Sequence, residues 1–170
     1  MYGTEELKHL LGDFFKDKLH NFKIKEMYRM ALVNKLNIDT ANVIEITDKY
    51  KKEFLNSFNK NKNETFKEKK WDELINNKYI NGILKDESIA SMGYISNIEN
   101  HGANIIIQTK DNYKNNGYGK SVVSKICNDV LDDNLIPIYW VETNNIPSIN
   151  LAKSLGFKPM VKEIVVSVNI

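Results

Sequence analysis

The sequence predicts an α/β fold in a single domain, and three observations carry that expectation. Residues 79–168 alternate short β-rich runs with stretches of helical periodicity. A glycine-containing loop joins one of those runs to the most regular apolar helix of the chain. The residues before 79 show mainly helical spacing, which predicts a helical N-terminal region over 1–75. With 170 residues, 42% of them hydrophobic, one core can form without a disulfide or a metal to staple it.

Taken in order, Leu7, Leu10, Leu11, Phe14, Phe15 and Leu19 recur at helical spacing behind the polar start Thr4-Glu5-Glu6, so a first amphipathic helix is expected. Between Phe22 and Val33 the apolar residues Ile24, Met27, Tyr28, Met30 and Leu32 fit neither period cleanly and lean toward strand. Tyr50, Phe54, Leu55 and Phe58 return to helical spacing over 48–58, and Phe66, Trp71, Leu74 and Ile75 suggest another short helix. The stretch NKNKNETFKEKK, Asn59 to Lys70, is the least core-like and reads as an exposed loop or a solvated helix start. After Asn77, the runs Tyr79–Leu84, Ser88–Ile95 and Ala103–Thr109 predict an antiparallel meander, with turns at DE and NIENHG. Val122, Val123, Ile126, Cys127, Val130 and Leu131 then form one apolar stripe on a helix over 117–131. A strand over 136–141, a helix over 147–155 closed by Gly156, and a final strand over 157–168 complete the order β-β-β-α-β-α-β.

Composition excludes several classes of function. Twenty-four Lys and Arg against 22 Asp and Glu leave a net charge of +2, so no long-range attraction for nucleic acid is expected. The Lys-rich stretch lacks interleaved aromatics, which also speaks against a single-strand binder. One cysteine, Cys127, forbids an internal disulfide framework, suits a reducing compartment and lies in the apolar stripe as a small core residue. His9 and His20 lie on the first helix without a ligand pattern, so no metal is expected. No apolar run approaches a membrane span, and Glu5, Glu6 and Lys8 stand where a signal peptide would be apolar. A soluble, cytoplasmic protein is expected. Trp71 and Trp140 are expected in the core or in the walls of a cleft.

The most informative residues are KDNYKNNGYG, Lys110 to Gly119, between the strand ending at Thr109 and the apolar helix. A turn that points successive backbone N–H groups at one place, at the positive end of a helix, binds anions, and glycine permits positive φ and close approach there. Lys114 and Lys120 can add charge. The loop has no Walker GK[ST] ending and lacks the first glycine of GxGxxG, so triphosphatase and dinucleotide readings fail. Taken alone, Gly117 and Gly119 could equally make only a tight strand-to-helix connection.

Strand, TKDNYKNNGYG, apolar helix, strand, then NNIPSINLAKSLGF resembles the acetyl-coenzyme A binding half of the GNAT acetyltransferase superfamily, over roughly residues 79–170. The family's loop pattern (Arg or Gln, two residues, Gly, one residue, Gly or Ala) falls on Lys114, Gly117 and Gly119, with Lys114 departing from the usual Arg or Gln. Tyr113 stands at a commonly aromatic position, and Asn145, Ser148, Leu151, Leu155, Gly156 and Phe157 match the later helix and strand. Pro137 and Trp140 in the preceding strand are similar to a poorly characterised bacterial branch.

The resemblance implies a mixed central sheet flanked by helices, with the N-terminal helices forming part of the acceptor cleft. It implies acetyl-coenzyme A as cosubstrate, its pantetheine arm along Ile107, Gln108 and Thr109. Its pyrophosphate would lie on Lys114, Asn115, Asn116, Gly117, Tyr118, Gly119 and Lys120, with Asn145 and Ser148 near it. Asn145 reads equally as a helix cap before Pro147. The reaction implied is acetylation of a primary amine on a small molecule or peptide, whose nitrogen must lose its proton before it can attack. Glu142, at the strand end, is the first candidate base, with Glu99 and His101 as weaker ones. The position where many members carry a Tyr to protonate the leaving thiolate is Ala152, which keeps open a non-catalytic acyl-coenzyme A binding or sensing module. The final run IVVSV offers an edge that a second copy could extend, so a homodimer is a further expectation.

Overall fold

Seven strands form one sheet in the order β2-β3-β4-β5-β6-β1-β7, in a computed structural model that describes residues 4–16, 22–57, 64–76 and 78–168. The elements are α1 (Thr4–Lys16), β1 (Phe22–Ala31), β2 (Ile44–Glu45), a 3₁₀ turn (Asp48–Tyr50), α2 (Lys51–Ser57), α3 (Glu64–Ile75), β3 (Asn81–Lys85), β4 (Ser88–Glu99), β5 (Gly102–Thr109), a second 3₁₀ turn (Asp111–Tyr113), α4 (Tyr118–Asp132), β6 (Ile136–Glu142), α5 (Ile146–Ser154) and β7 (Lys158–Val168). Leu19 and His20 of the expected first helix, Phe58 of the expected helix over 48–58, and Asn59 to Asn63 of the polar stretch lie outside the described residues.

The N-terminal region carries the helices α1, α2 and α3 and, between α1 and α2, the long strand β1. β1 lies between β6 and β7, pairing antiparallel with both, so a strand from the N-terminal segment completes the C-terminal half of the sheet. A strand in that place is buried partly on both faces, which blurs the period-2 alternation by which strands are read. The meander follows expectation with one shift. β4 runs on through a bulge between Ile95 and Asn97 to Glu99, taking in residues expected as turn, and the chain reverses at Asn100 and His101, both left-handed.

Apolar side chains fill two cores on opposite sides of the sheet. On the near side, the α4 stripe (Val122, Val123, Ile126, Cys127 and Val130) packs with Ala103, Ile105, Tyr139, Val141, Ile149 and Phe157. Burial pushes the Cys127 thiol well above its ordinary range, so it is an inert core group. On the far side, Phe54, Trp71 and Leu74 of α2 and α3 cover Ile80, Ile89, Met92 and Tyr94. Trp71 is fully buried, donates Nε1–H to Asp48 Oδ1 at 2.9 Å and meets the Phe54 ring at 5.1 Å. Trp140 is 38% exposed on the far side, where it lines a small hollow with Arg29 and donates its Nε1–H to Glu163.

Candidate functional site

Among the described residues, β5 and β6 are the only parallel pair in the sheet, and they stay together for three rungs, Gly102–Ile136, Ala103–Pro137 and Asn104–Ile138. Beyond Asn104 and Ile138 they part, leaving Ile107, Gln108 and Thr109 of β5 without a neighbour on that side. Unpaired main-chain groups on a central strand need another partner, so the gap invites an extended polar ligand.

A cleft of about 1030 Å³ opens at this gap. Its walls include Ile107, Gln108 and Thr109 from β5, Lys114, Asn115, Gly117, Tyr118, Gly119 and Lys120 from the loop and the start of α4, Tyr139 from β6, and Asn145 and Ser148 from α5. Of the expected coenzyme-binding residues, Asn116 alone lines a neighbouring hollow instead, with Tyr118 shared between the two.

The loop is built as an anion cradle. Asn115 and Gly117 are both left-handed, at φ 63° and 79°, which turns successive amides the same way. Among the described residues, the N–H groups of Asn115 to Lys120 reach no backbone carbonyl, whereas Ser121 N donates to Gly117 O and starts the regular helix. A Cβ on Gly117 would meet nothing within 4 Å, so the φ alone calls for glycine there; at Gly119 a Cβ would press on Thr109 Oγ1 at 3.2 Å. The open face at Gly117 is the space an approaching phosphate needs. Lys114 is paired with Asp111 at 2.7 Å, and Lys120 is half-buried at the cleft wall.

The family model described as GNAT acetyltransferase matches residues 3–163 of this sequence. The chain belongs to that family. Among solved structures similar to this GNAT chain is a GNAT family acetyltransferase from Colwellia psychrerythraea, with TM-score 0.72 and 16% identity over 96% of this chain and 61% of that one. A GCN5-related N-acetyltransferase-like protein from Streptococcus suis has TM-score 0.63 and 14% identity over 96% of this chain and 68% of that one. An aminoglycoside 6'-N-acetyltransferase from Acinetobacter haemolyticus has TM-score 0.62 and 17% identity over 76% of this chain and 99% of that one. At these identities the likeness is one of fold, and this GNAT chain spans about three fifths of the Colwellia protein's length. A search of curated proteins finds no match.

Within this GNAT domain the expected acid–base residues fall elsewhere. Glu142 is half-buried on the far side of β6, where Lys25 of β1 donates to its carboxylate, and it does not line the cleft. His101 sits exposed in the β4–β5 turn. Glu99 is exposed and opens onto the far side. Asn145 caps α5, its Oδ1 accepting from Ser148 N at 3.2 Å. Ala152 is fully buried in the near core.

Sequence reasoning missed Tyr139. Its hydroxyl lies 2.8 Å from Ser148 Oγ in the cleft wall, one residue past the last rung of the β5–β6 pair. Burial raises its pKa, so the phenol keeps its proton. The signal available in the sequence was a hydroxyl-bearing aromatic in the strand that leads into the fork, IPIYWVE. Among the described residues, no group of His, Cys, Asp and Glu is arranged to hold a metal, and no helix is long and apolar enough to cross a membrane.

Proposed function

We propose that this chain transfers the acetyl group of acetyl-coenzyme A to a primary amine of a small molecule or peptide by direct attack. The cleft at the β5–β6 gap carries the reading, because it joins unpaired strand edge to a cradle of free amides and so suits a ligand that is amide-bearing at one end and pyrophosphate at the other. Ile107 to Thr109 would pair with the pantetheine amides. Asn115 to Lys120 would hold phosphate oxygens, with Lys114 and Lys120 adding charge.

Bound in this way, acetyl-coenzyme A supplies a thioester carbonyl at the inner end of the gap. The acceptor ammonium gives one proton to solvent, the nitrogen lone pair forms a C–N bond as the C–S bond breaks, and the second proton, lost from the new amide nitrogen, passes to the thiolate. A thiol has a pKa of about 8.5, so that last step needs no strong acid. Tyr139 would donate a hydrogen bond to the departing sulfur, with Ser148 orienting its hydroxyl.

The alternative, a non-catalytic acyl-coenzyme A binding module, is favoured by the alanine at 152. The protonated Tyr139 in the cleft wall supports the enzyme instead. We assign the chain to the bacterial cytoplasm, the reducing compartment that suits its lone thiol, and hold open a homodimer extended along β7, an edge strand of the sheet.

Calorimetry with acetyl-coenzyme A tests the site. Binding near micromolar in the wild type should fall by at least about a hundredfold in Gly117→Asp, which adds strain at a left-handed position and a negative charge in the cradle. Absence of binding by the wild type sinks the acetyltransferase reading.

A further inference from the structure

The loop that forms the amide cradle is held at its base from both sides of the sheet. Alternation at the end of β5 sends Thr109 to the near side and Lys110 to the far side. On the near side, Thr109 Oγ1 lies 2.9 Å from Oγ of the fully buried Ser91 and directly under Gly119, where a Cβ would come within 3.2 Å of it. The two ends of the loop are therefore in contact, and a shift at 109–110 passes straight to the start of α4. Lys110 N donates to Ala90 O at 2.9 Å and Lys110 O accepts from Tyr113 N at 2.9 Å, so this residue ends the sheet ladder and begins the turn that leads to the cradle.

Helix α2 supplies the hold on the far side. Tyr50 and Phe54, four residues apart, are both buried in the far core, and this pins the helix against the sheet. Glu53, beside Phe54, faces the end of β5. Its Oε1 accepts from Lys110 Nζ at 2.6 Å and from Ile89 N at 2.6 Å, and Lys110 Nζ also donates to Ser88 Oγ at 3.0 Å. One carboxylate thus ties a helix, the start of β4 and the base of the loop together. Among the described residues Lys110 is its only ion-pair partner, and the two side chains are 23% and 21% exposed. The pair is therefore shielded from much of the water and salt that leave open surface pairs with little effect. Glu53 lines a polar hollow behind the loop base and not the cleft, whereas Lys110 borders both.

We propose that Glu53 is a positioning residue for the coenzyme: through Lys110 it fixes the base of the loop, so that the amides of Asn115 to Lys120 converge before the pyrophosphate arrives. The inference rests on the acetyl-coenzyme A reading of the cleft. Amides already aimed at one place bind an anion more tightly than amides that must be ordered by it, because the ordering is subtracted from the affinity. The opposite role, in which the carboxylate only neutralises Lys110, has the opposite sign. Removing Glu53 would then leave a bare cation beside the phosphates and tighten binding. The direction of the change therefore separates holding from neutralising.

Calorimetry with acetyl-coenzyme A on the full chain compares the wild type with Glu53→Ala, Lys110→Met, the double variant and Lys110→Arg, at a temperature well below every thermal midpoint. Glu53→Ala and Lys110→Met should each weaken binding by about tenfold, the size of one charged hydrogen bond. The double variant should be no weaker than either single one, since both break the same tie, and Lys110→Arg should recover most of what Lys110→Met loses. Tighter binding by Glu53→Ala, additive losses in the double variant, or thermal midpoints that fall while affinities stay level overturns the proposal and leaves the acetyl-transfer reading standing. No binding by the wild type overturns both.

Discussion

The two sides of the sheet are built on different plans. On the near side, α4 and α5 cover the strands, and the site is made of backbone: free amides at a helix start and unpaired strand edge. On the far side, α2 and α3 cover only the β3–β5 part, and β6, β1 and β7 present side chains, Lys25 with Glu142 and Arg29 with Glu163 and Trp140. A backbone site serves any ligand with the same phosphate and amide spacing, whereas a side-chain site changes with each substitution.

The two tryptophans give the comparison its widest test. Trp71 lies fully buried beneath the covered part of the far side and Trp140 stands on the open part. Trp71→Ala should destabilise the fold by about 3–5 kcal/mol through the cavity it leaves, and Trp140→Ala by under about 1 kcal/mol, as for other exposed positions. Urea denaturation of both variants measures the gap. Equal losses would mean that the open face is as tightly packed as the covered one.

A smaller effect is expected at the fork. Tyr139→Phe removes one hydroxyl from the cleft wall and one partner from Ser148. Turnover should fall about tenfold, the size of one hydrogen bond to a developing charge, while acetyl-coenzyme A affinity stays put. An unchanged turnover number would leave Tyr139 as packing against Phe157, which its ring meets at 5.5 Å.

How far the sequence could be read follows the same division. Helix α4 was legible because its apolar stripe faces one core and its loop carries two glycines whose backbone demands are local. β1 was barely legible, since Lys25, Glu26 and Arg29 put charge on both faces of a central strand. Their partners lie more than a hundred residues away for Lys25 with Glu142, Arg29 with Glu163 and Glu26 with Lys162, and no local pattern announces them. The adjacent aromatics Tyr139 and Trp140 show the same limit. In IPIYWVE nearly every residue is apolar, so which ring faces the cleft is set by the pairing of β6 with β1 and β5. The same pairing turns Glu142 to the face of β6 opposite Tyr139, beside Lys25.

Acidification probes the least of these effects, the tie between α1, β1 and β7. Ion pairs with Lys162 and then Lys8 hold the Glu26 carboxyl down at about 2, from an ordinary 4.5. A carboxylate depressed in the fold stabilises it fully above the unfolded value, and that contribution drains as pH falls from there through the folded value. Thermal midpoints should therefore decline between pH 4.5 and about 2, and Glu26→Gln, lacking the titrating group, should start lower at neutral pH and show a shallower decline over that window. Asp133, also lowered by its bonds from Lys78 and Tyr79, keeps part of the slope in the variant. Parallel curves for wild type and variant would show that the N-terminal helix and the last strand are held together by packing alone.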